Sequence, residues 1–338
     1  MKSRGSKTAK GRDGVVCFGE VLLALSTSNA ERFEQARELE VTYTGAEANT
    51  AVALARLGTR SRVISRLPAH PLGQAAVNTL RTHGVDTCDI LRGGTRMGIL
   101  FLEKGVAQRP AQVLYDRKGS AFAELKPGMI PWTEVLEGYA WLHFSGISPA
   151  FGPGLTACLR EGLQTARKLG LGTSMDCNYR RTLWGEAEAR KILPKLVDGL
   201  DLFSGSVHDL KNFFGCTGGD EEAAEAMRKK HGIGRVALGL RVTEAEGREE
   251  FSALLSGKGG SQRSQVYEVS PFGRIGSGDA FMAGVLHGLL AGWDDARVVE
   301  FAVAAACFKQ TIVHDLAIFG EREIEEWVLR GGGGGVHR

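Results

Sequence analysis

Gly276-Ser277-Gly278-Asp279 opens a run, Ala280-Phe281-Met282-Ala283-Gly284, that has the spacing of a long helix. Two glycines allow a tight turn and close backbone approach, while the first N–H groups of a helix lack intrahelical partners and carry the positive end of its dipole. Such a turn suits the negative charge of a phosphoryl group in transfer. Asp279, in the first turn, could take the proton of an attacking hydroxyl. It could equally do no more than stabilise the helix, as acids do at any helix start.

Three further sets carry chemistry. Asp176-Cys177-Asn178-Tyr179-Arg180 ends an apolar, strand-like run. Ligands of open α/β sheets bind beyond the carboxyl ends of the strands, so Asp176, Asn178 and Arg180 could hydrogen-bond a polyol and fix an anion. An ordinary polar strand exit is the alternative. Thr44-Gly45-Ala46-Glu47-Ala48-Asn49 offers backbone and amide groups to sugar hydroxyls, or simply caps the helix that follows. In Tyr115-Asp116-Arg117 the guanidinium could close over an acidic substrate. Singly, each set has a plain structural explanation; together they form the pattern of a small-molecule kinase.

These residues need a scaffold, and the apolar periodicity supplies one. Strand-like runs at 15–25 (broken by Gly19-Glu20), 61–67, 141–145, 171–176, 201–204 and 236–240 alternate with helical patterns at 48–57, 73–83, 153–169, 187–196 and 221–231. That alternation, with Gly58, Gly84 and Gly170 as helix stops, argues a mostly parallel sheet covered by helices. Residues 97–103 and 112–117 interrupt it as a hairpin with no intervening helix. It is expected to join the 20–44 region in a small β lid, an edge hairpin on the main sheet being the alternative. Helices at 277–290, 294–310 and near 321–329 complete the chain.

Composition narrows the class. Of 338 residues, 43% are hydrophobic and 24% charged, enough for a large buried core. No run of apolar residues is long enough to span a membrane, and the first fourteen residues lack the apolar stretch of a secretory signal. Those fourteen hold Lys2, Arg4, Lys7, Lys10 and Arg12 against Asp13, so the net charge of +3 belongs to the tail and the rest is near neutral. No basic stripe marks a nucleic-acid surface. Six cysteines without zinc-like spacing and eight scattered histidines point to a reduced, cytoplasmic protein without a structural metal. The expected organisation is a basic tail over 1–14, one catalytic domain over 15–330 with lid segments at about 20–46 and 95–118, and a flexible end over 331–338.

The chain resembles the ribokinase-like (PfkB-type) carbohydrate kinases from about Val15 to Trp327. The resemblance rests on Gly276-Ser277-Gly278-Asp279-Ala280-Phe281 and Val52-Ala53-Leu54-Ala55-Arg56-Leu57-Gly58. Within them it is most similar to 2-keto-3-deoxygluconate kinases, on 41–49, Arg66-Leu67-Pro68, 101–105, 115–121, 143–147, 176–180 and 311–315. The resemblance implies a three-layer α/β/α fold and ATP-dependent phosphorylation of a sugar acid's terminal hydroxyl. It implies Asp279 as base, Gly276, Ser277 and Gly278 as anion hole, and Gly45, Asn49, Tyr115, Arg117, Arg180 and Asp315 at the substrate. Ser206 and Arg241 are expected at the nucleotide, Asp209 indirectly at Mg2+, and a homodimer or higher homo-oligomer is expected. Another sugar as substrate, or a weakened sugar-binding relative, is the alternative. The chain departs from the pattern where Ser206-Val207-His208-Asp209 replaces the usual Asn-x-x-Glu, at Gly273 in place of a carboxylate, and at Leu100 in place of a substrate-facing Tyr.

Overall fold

Val15 and Cys17 bury themselves on one side of their strand, Val16 and Phe18 on the other, and all four are fully enclosed. Leu202, Ala237 and Leu255 share the first side, and Phe203, Val236 and Leu254 the second. Strands apolar on both faces belong to a sheet with helices on each side. In the computed structural model, residues 11–29, 31–106, 108–243, 249–269, 272–273 and 275–332 are described.

The main sheet runs in the order Gly260–Arg263, Glu249–Gly257, Arg235–Thr243, Leu202–Gly205, Gly172–Asp176, Tyr139–Ser145, Asp13–Phe18, Ser61–Ile64, with Tyr267–Val269 also paired to Glu249–Gly257. From Ser61–Ile64 to Arg235–Thr243 the neighbours are parallel; beyond, they turn antiparallel. One helical layer contains Ala46–Arg56, Pro71–Thr82, Ser277–Leu290, Asp295–Lys309 and Glu321–Leu329; the other contains Pro153–Leu169, Val207–Phe214 and Asp220–His231. The result is the expected α/β/α architecture. Among the described residues no helix is long and apolar enough to cross a membrane.

Ile99–Glu103 and Gln112–Asp116 pair antiparallel, and this hairpin joins Leu22–Thr27, not the edge of the main sheet. With Leu39–Thr44 they make a four-stranded sheet of order Leu39–Thr44, Leu22–Thr27, Ile99–Glu103, Gln112–Asp116. Burial explains the choice: Leu22, Ala24 and Leu100 enclose one another, with Leu102, Val113 and Tyr115 packed against them.

Two departures from the sequence pattern bear on the frame of the main sheet. The first strand starts at Asp13, inside the stretch assigned to the tail, because Asp13 N and Val15 N already donate to Gly138 O and Arg60 O. Three strands between Glu249 and Val269 lie where no element is expected. Of the two ends, 1–10 and 333–338 lie outside the described residues.

A buried ion pair locks the small sheet to the body. Arg117 Nε donates to Glu20 Oε2 at 2.7 Å, and Ser120 Oγ donates to Glu20 Oε1 at 2.5 Å. Both charged side chains are at most 5% exposed. Removing one partner of such a pair strands the other charge in a dry site. Arg117→Leu is therefore expected to destabilise the protein by about 3–5 kcal/mol, and Glu20→Gln added to it to return part of that loss; urea unfolding of both variants measures it.

Candidate active site

The carboxyl ends of the parallel strands open onto a cleft of about 910 Å³, roofed by Leu22, Leu100, Val113 and Tyr115 of the small sheet. Asp176 and Gly205 end two strands at its floor, and the helix Ser277–Leu290 begins at its wall. Gly276 caps that helix with φ of 85°, a left-handed conformation that glycine adopts without strain. An added Cβ there would stand 2.1 Å from Asp315 O, so the turn rests directly on the 315 backbone. Gly278, by contrast, has open space where a Cβ would project. Gly45 is confined as Gly276 is: its φ is 156°, and a Cβ would meet Glu20 O at 2.1 Å.

A chain of hydrogen bonds crosses the cleft. Asn49 Nδ2 donates to Asp279 Oδ2 at 2.8 Å. Asn49 also meets Thr44 Oγ1 at 3.2 Å, and Thr44 Oγ1 donates to Asp315 Oδ2 at 2.5 Å. Residues far apart in sequence are thus fixed relative to one another. Glu47, in the same helix as Asn49, is fully buried and accepts from both Ser145 N and Ser145 Oγ.

Acids crowd this site. Burial pushes Asp279 up to about 7; the Asn49 hydrogen bond and the Arg180 charge oppose the rise, and the charges of Glu47 and Asp315 add to it. Burial pushes Asp176 up to about 8, helped by the charges of Asp279 and Asp209 and opposed by Arg180. Asp315 is also raised, by burial first. An acid held near neutrality in a dry cleft has the pKa that a proton acceptor needs to work near pH 7.

The cleft gathers Gly45, Asn49, Tyr115, Arg117, Arg180, Ser206, Asp209, Gly276, Ser277, Gly278, Asp279 and Asp315. Arg241 is not among its lining residues. It stacks on Phe251, 4.8 Å from the ring centroid, and lies 3.8 Å from Glu249; Phe251 is the residue that reaches the cleft. Arg117 lines the cleft, but its Nε is taken by Glu20, a partner that sequence pattern did not single out. Ser206 and Asp209 form a capping box for Val207–Phe214: Ser206 Oγ accepts from Asp209 N at 3.1 Å, and Asp209 Oδ2 accepts from Ser206 N at 2.9 Å. Leu100 takes its place in the roof, and Gly273 N donates to Gln310 O at 2.9 Å.

Known proteins are similar to this chain. Residues 12–311 match the pfkB family of carbohydrate kinases. A 2-dehydro-3-deoxygalactonokinase of Haloferax volcanii is 34% identical over 325 residues, covering 96% of this chain and 99% of its own. A 2-dehydro-3-deoxygluconokinase of Thermoproteus tenax is 27% identical over 329 residues, covering 96% and 97%. The crystal structure of a 2-dehydro-3-deoxygluconokinase from Thermotoga maritima is 36% identical, covers 94% of this chain and 98% of its own, and superposes with a TM-score of 0.91.

The raised acids carry a stability consequence. Unfolded aspartates titrate at about 4, so between about pH 4 and 8 the folded chain holds protons at Asp279 and Asp176 that the unfolded chain has released. Stability of the ligand-free protein should therefore fall as pH rises through that window. Asp176→Asn should flatten the fall, which melting temperatures across pH 5–8.5 (an experimental range of roughly two buffers) would reveal.

Proposed function

The chain belongs to the pfkB family of carbohydrate kinases and is a sugar kinase that transfers phosphate to an alcohol group; on that premise we propose that it phosphorylates the terminal hydroxyl of 2-keto-3-deoxygluconate with ATP. The product would be 2-keto-3-deoxy-6-phosphogluconate. The observation that carries the reading is Asp279, held by Asn49 at the start of a helix whose Gly276–Gly278 turn faces the same cleft as Arg180.

In this reading Asp279 accepts the hydroxyl proton while the sugar oxygen bonds to phosphorus and ADP leaves with the electrons of the broken P–O bond. Ser277 and Gly278 supply backbone N–H groups for the charge on the transferring group, which is where positioned dipoles contribute most. Arg180 receives the substrate carboxylate, a pairing suited to a guanidinium fork. Tyr115 and Arg117 close over the sugar acid from the roof, Gly45 and Asn49 meet its hydroxyls, and Asp315 orients them through Thr44.

ATP enters beside Ser206, and magnesium with it would neutralise the phosphates. The residues fit such an ion: Asp176 and Asp209 line the cleft, and burial, with the charges of Asp279 and Asp209 adding to it, holds Asp176 up near 8. A hard cation with oxygen ligands suits that set, directly or through water. The small sheet leaves Val41 and Leu114 more than half exposed, an apolar surface that a second copy of the chain would cover.

Four measurements test the reading. An ADP-release assay with ATP, magnesium, 2-keto-3-deoxygluconate, its galactonate epimer, fructose, ribose and gluconate should respond to the keto-deoxy acids first. Faster turnover of fructose or ribose would remove the sugar-acid assignment, and preference for the epimer would change the configuration at C4. Asp279→Asn should lower kcat by about 10²–10⁴ or more and leave ATP binding intact. In the unaltered enzyme, kcat/KM should fall about tenfold per pH unit below an apparent pKa of about 7, since the base must be ionised to act. Arg180→Ala should raise KM for the sugar acid by about 10- to 100-fold, the worth of a charged hydrogen bond, and an unchanged KM would place the carboxylate elsewhere.

A further inference from the structure

Lys309 ends the helix Asp295–Lys309 and is completely buried, its side chain among the largest fully enclosed in the protein. Lysine is almost never enclosed without an anionic or hydrogen-bonding partner. Here the ammonium donates to two backbone carbonyls, Ile312 O at 3.3 Å and His314 O at 2.6 Å. Among the described residues it makes no ion pair within contact distance, but the charges of Asp315 and Asp279 act on it and oppose the loss of charge that burial favours. Both are site carboxylates, so this cation lies beneath the catalytic cleft without lining it.

The segment it binds supports both halves of the site. His314 adopts φ of 61°, a conformation that residues with side chains enter at a cost and keep where their surroundings hold them. Its carbonyl is the one that the ammonium grips more closely. The next residue, Asp315, presents its carboxylate to Thr44 and its backbone oxygen to the underside of Gly276. Gln310 O, at the other end of the same segment, accepts from Phe272 N at 3.0 Å and Gly273 N at 2.9 Å, just before the glycine turn. The turn is therefore braced at two points by residues 310–315. Those residues fold back on a helix C-terminus, where free carbonyls and the negative dipole end call for a cation.

We propose that Lys309 is a positioning residue whose ammonium serves as a built-in cation, gathering the 312 and 314 carbonyls so that Asp315 and the Gly276 turn keep their register across the cleft. The phosphate-holding turn and the substrate-facing carboxylate are then set by one buried charge. The chain needs no dissociable monovalent ion at this point, because the lysine occupies the place where carbonyl oxygens converge.

The inference rests on the kinase reading, and its test separates the two. Lys309→Met keeps the apolar stem and removes the charge. The folded variant should lose about tenfold or more in kcat and show a higher KM for the sugar acid, the loss typical of a displaced positioning group. Ammonium or potassium chloride should restore part of that loss by entering among the freed carbonyls, while leaving the unaltered enzyme unchanged. A variant with a lower melting temperature but kcat and KM within about twofold of the unaltered enzyme, or one whose deficit no small cation relieves, would reduce Lys309 to a packing residue. Should Lys309→Met fail to fold, the unaltered enzyme decides: its turnover must persist when all small monovalent cations are replaced by tetramethylammonium, and loss of turnover there would show that an ion, not Lys309, fills the role. If the unaltered enzyme phosphorylates no sugar acid, the kinase reading fails first. The same comparison is then read in the thermal stabilisation given by ATP, whose loss in the variant supports the assignment and whose retention overturns it.

Discussion

The bond from Asn49 to Asp279 is the interaction on which the rest of this molecule depends. A carboxylate that is to accept a proton must be dry enough to hold one near neutrality and yet must not be neutralised by a tight ion pair. Asp279 meets both demands: among the described residues one neutral amide orients its carboxylate, and Arg180 acts on it without appearing among its hydrogen-bond partners. A guanidinium in the place of Asn49 would pull the acid down and remove its basicity. The neutral donor fixes direction while leaving the charge state free.

That choice places constraints on everything around it. Asn49 belongs to the first turn of Ala46–Arg56, so Gly45 must let the chain pass Glu20 at close range, and Thr44 must hand the hydrogen-bond chain on to Asp315. Asp315 in turn carries Gly276 on its backbone. The small sheet, the helix layer and the anion turn are consequently coupled through four side chains. Movement of the small sheet against the body would be felt at Asp279 through Thr44 and Asn49, which would give closure over a substrate a direct route to the proposed base.

The parallel frame was legible because strands buried on both faces read as unbroken apolar runs and helices carried glycine stops, as at Gly58 and Gly170. The strands over 249–269 were not, because Ser252 and Ser256 interrupt the apolar run and Gly257, Gly259 and Gly260 read as a loop. Glycine turns and acids at strand ends announced the cleft, since chemistry there restricts residue type. Glu20, Glu47 and Lys309 did not announce themselves: a buried charge looks like a surface charge until its partners, 97, 98 and a few residues away, are brought to it. Arg241, expected at the nucleotide, stands apart from the residues that line the cleft. Its strand aims at the cleft, yet its side chain lies on Phe251, and side-chain direction within a strand end depends on a partner strand that the sequence pattern left unassigned.

The Ser206–Asp209 pair shows how one departure from a family pattern can be absorbed. A capping box asks only that a hydroxyl reach the third amide of the helix and that an acid reach back, and Ser with Asp meets it here with bonds of 3.1 and 2.9 Å. Fold is therefore indifferent to the change. Chemistry is not, because Ser206 Oγ also donates to Asp209 Oδ2 at 2.7 Å, so one oxygen of the shorter acid receives two donors from the same residue. The other oxygen is then what remains to face water or a hydrated ion beside Asp176. A longer acid would carry that oxygen further into the cleft; in the proposed reading the shorter one would reach a magnesium ion only through an intervening water.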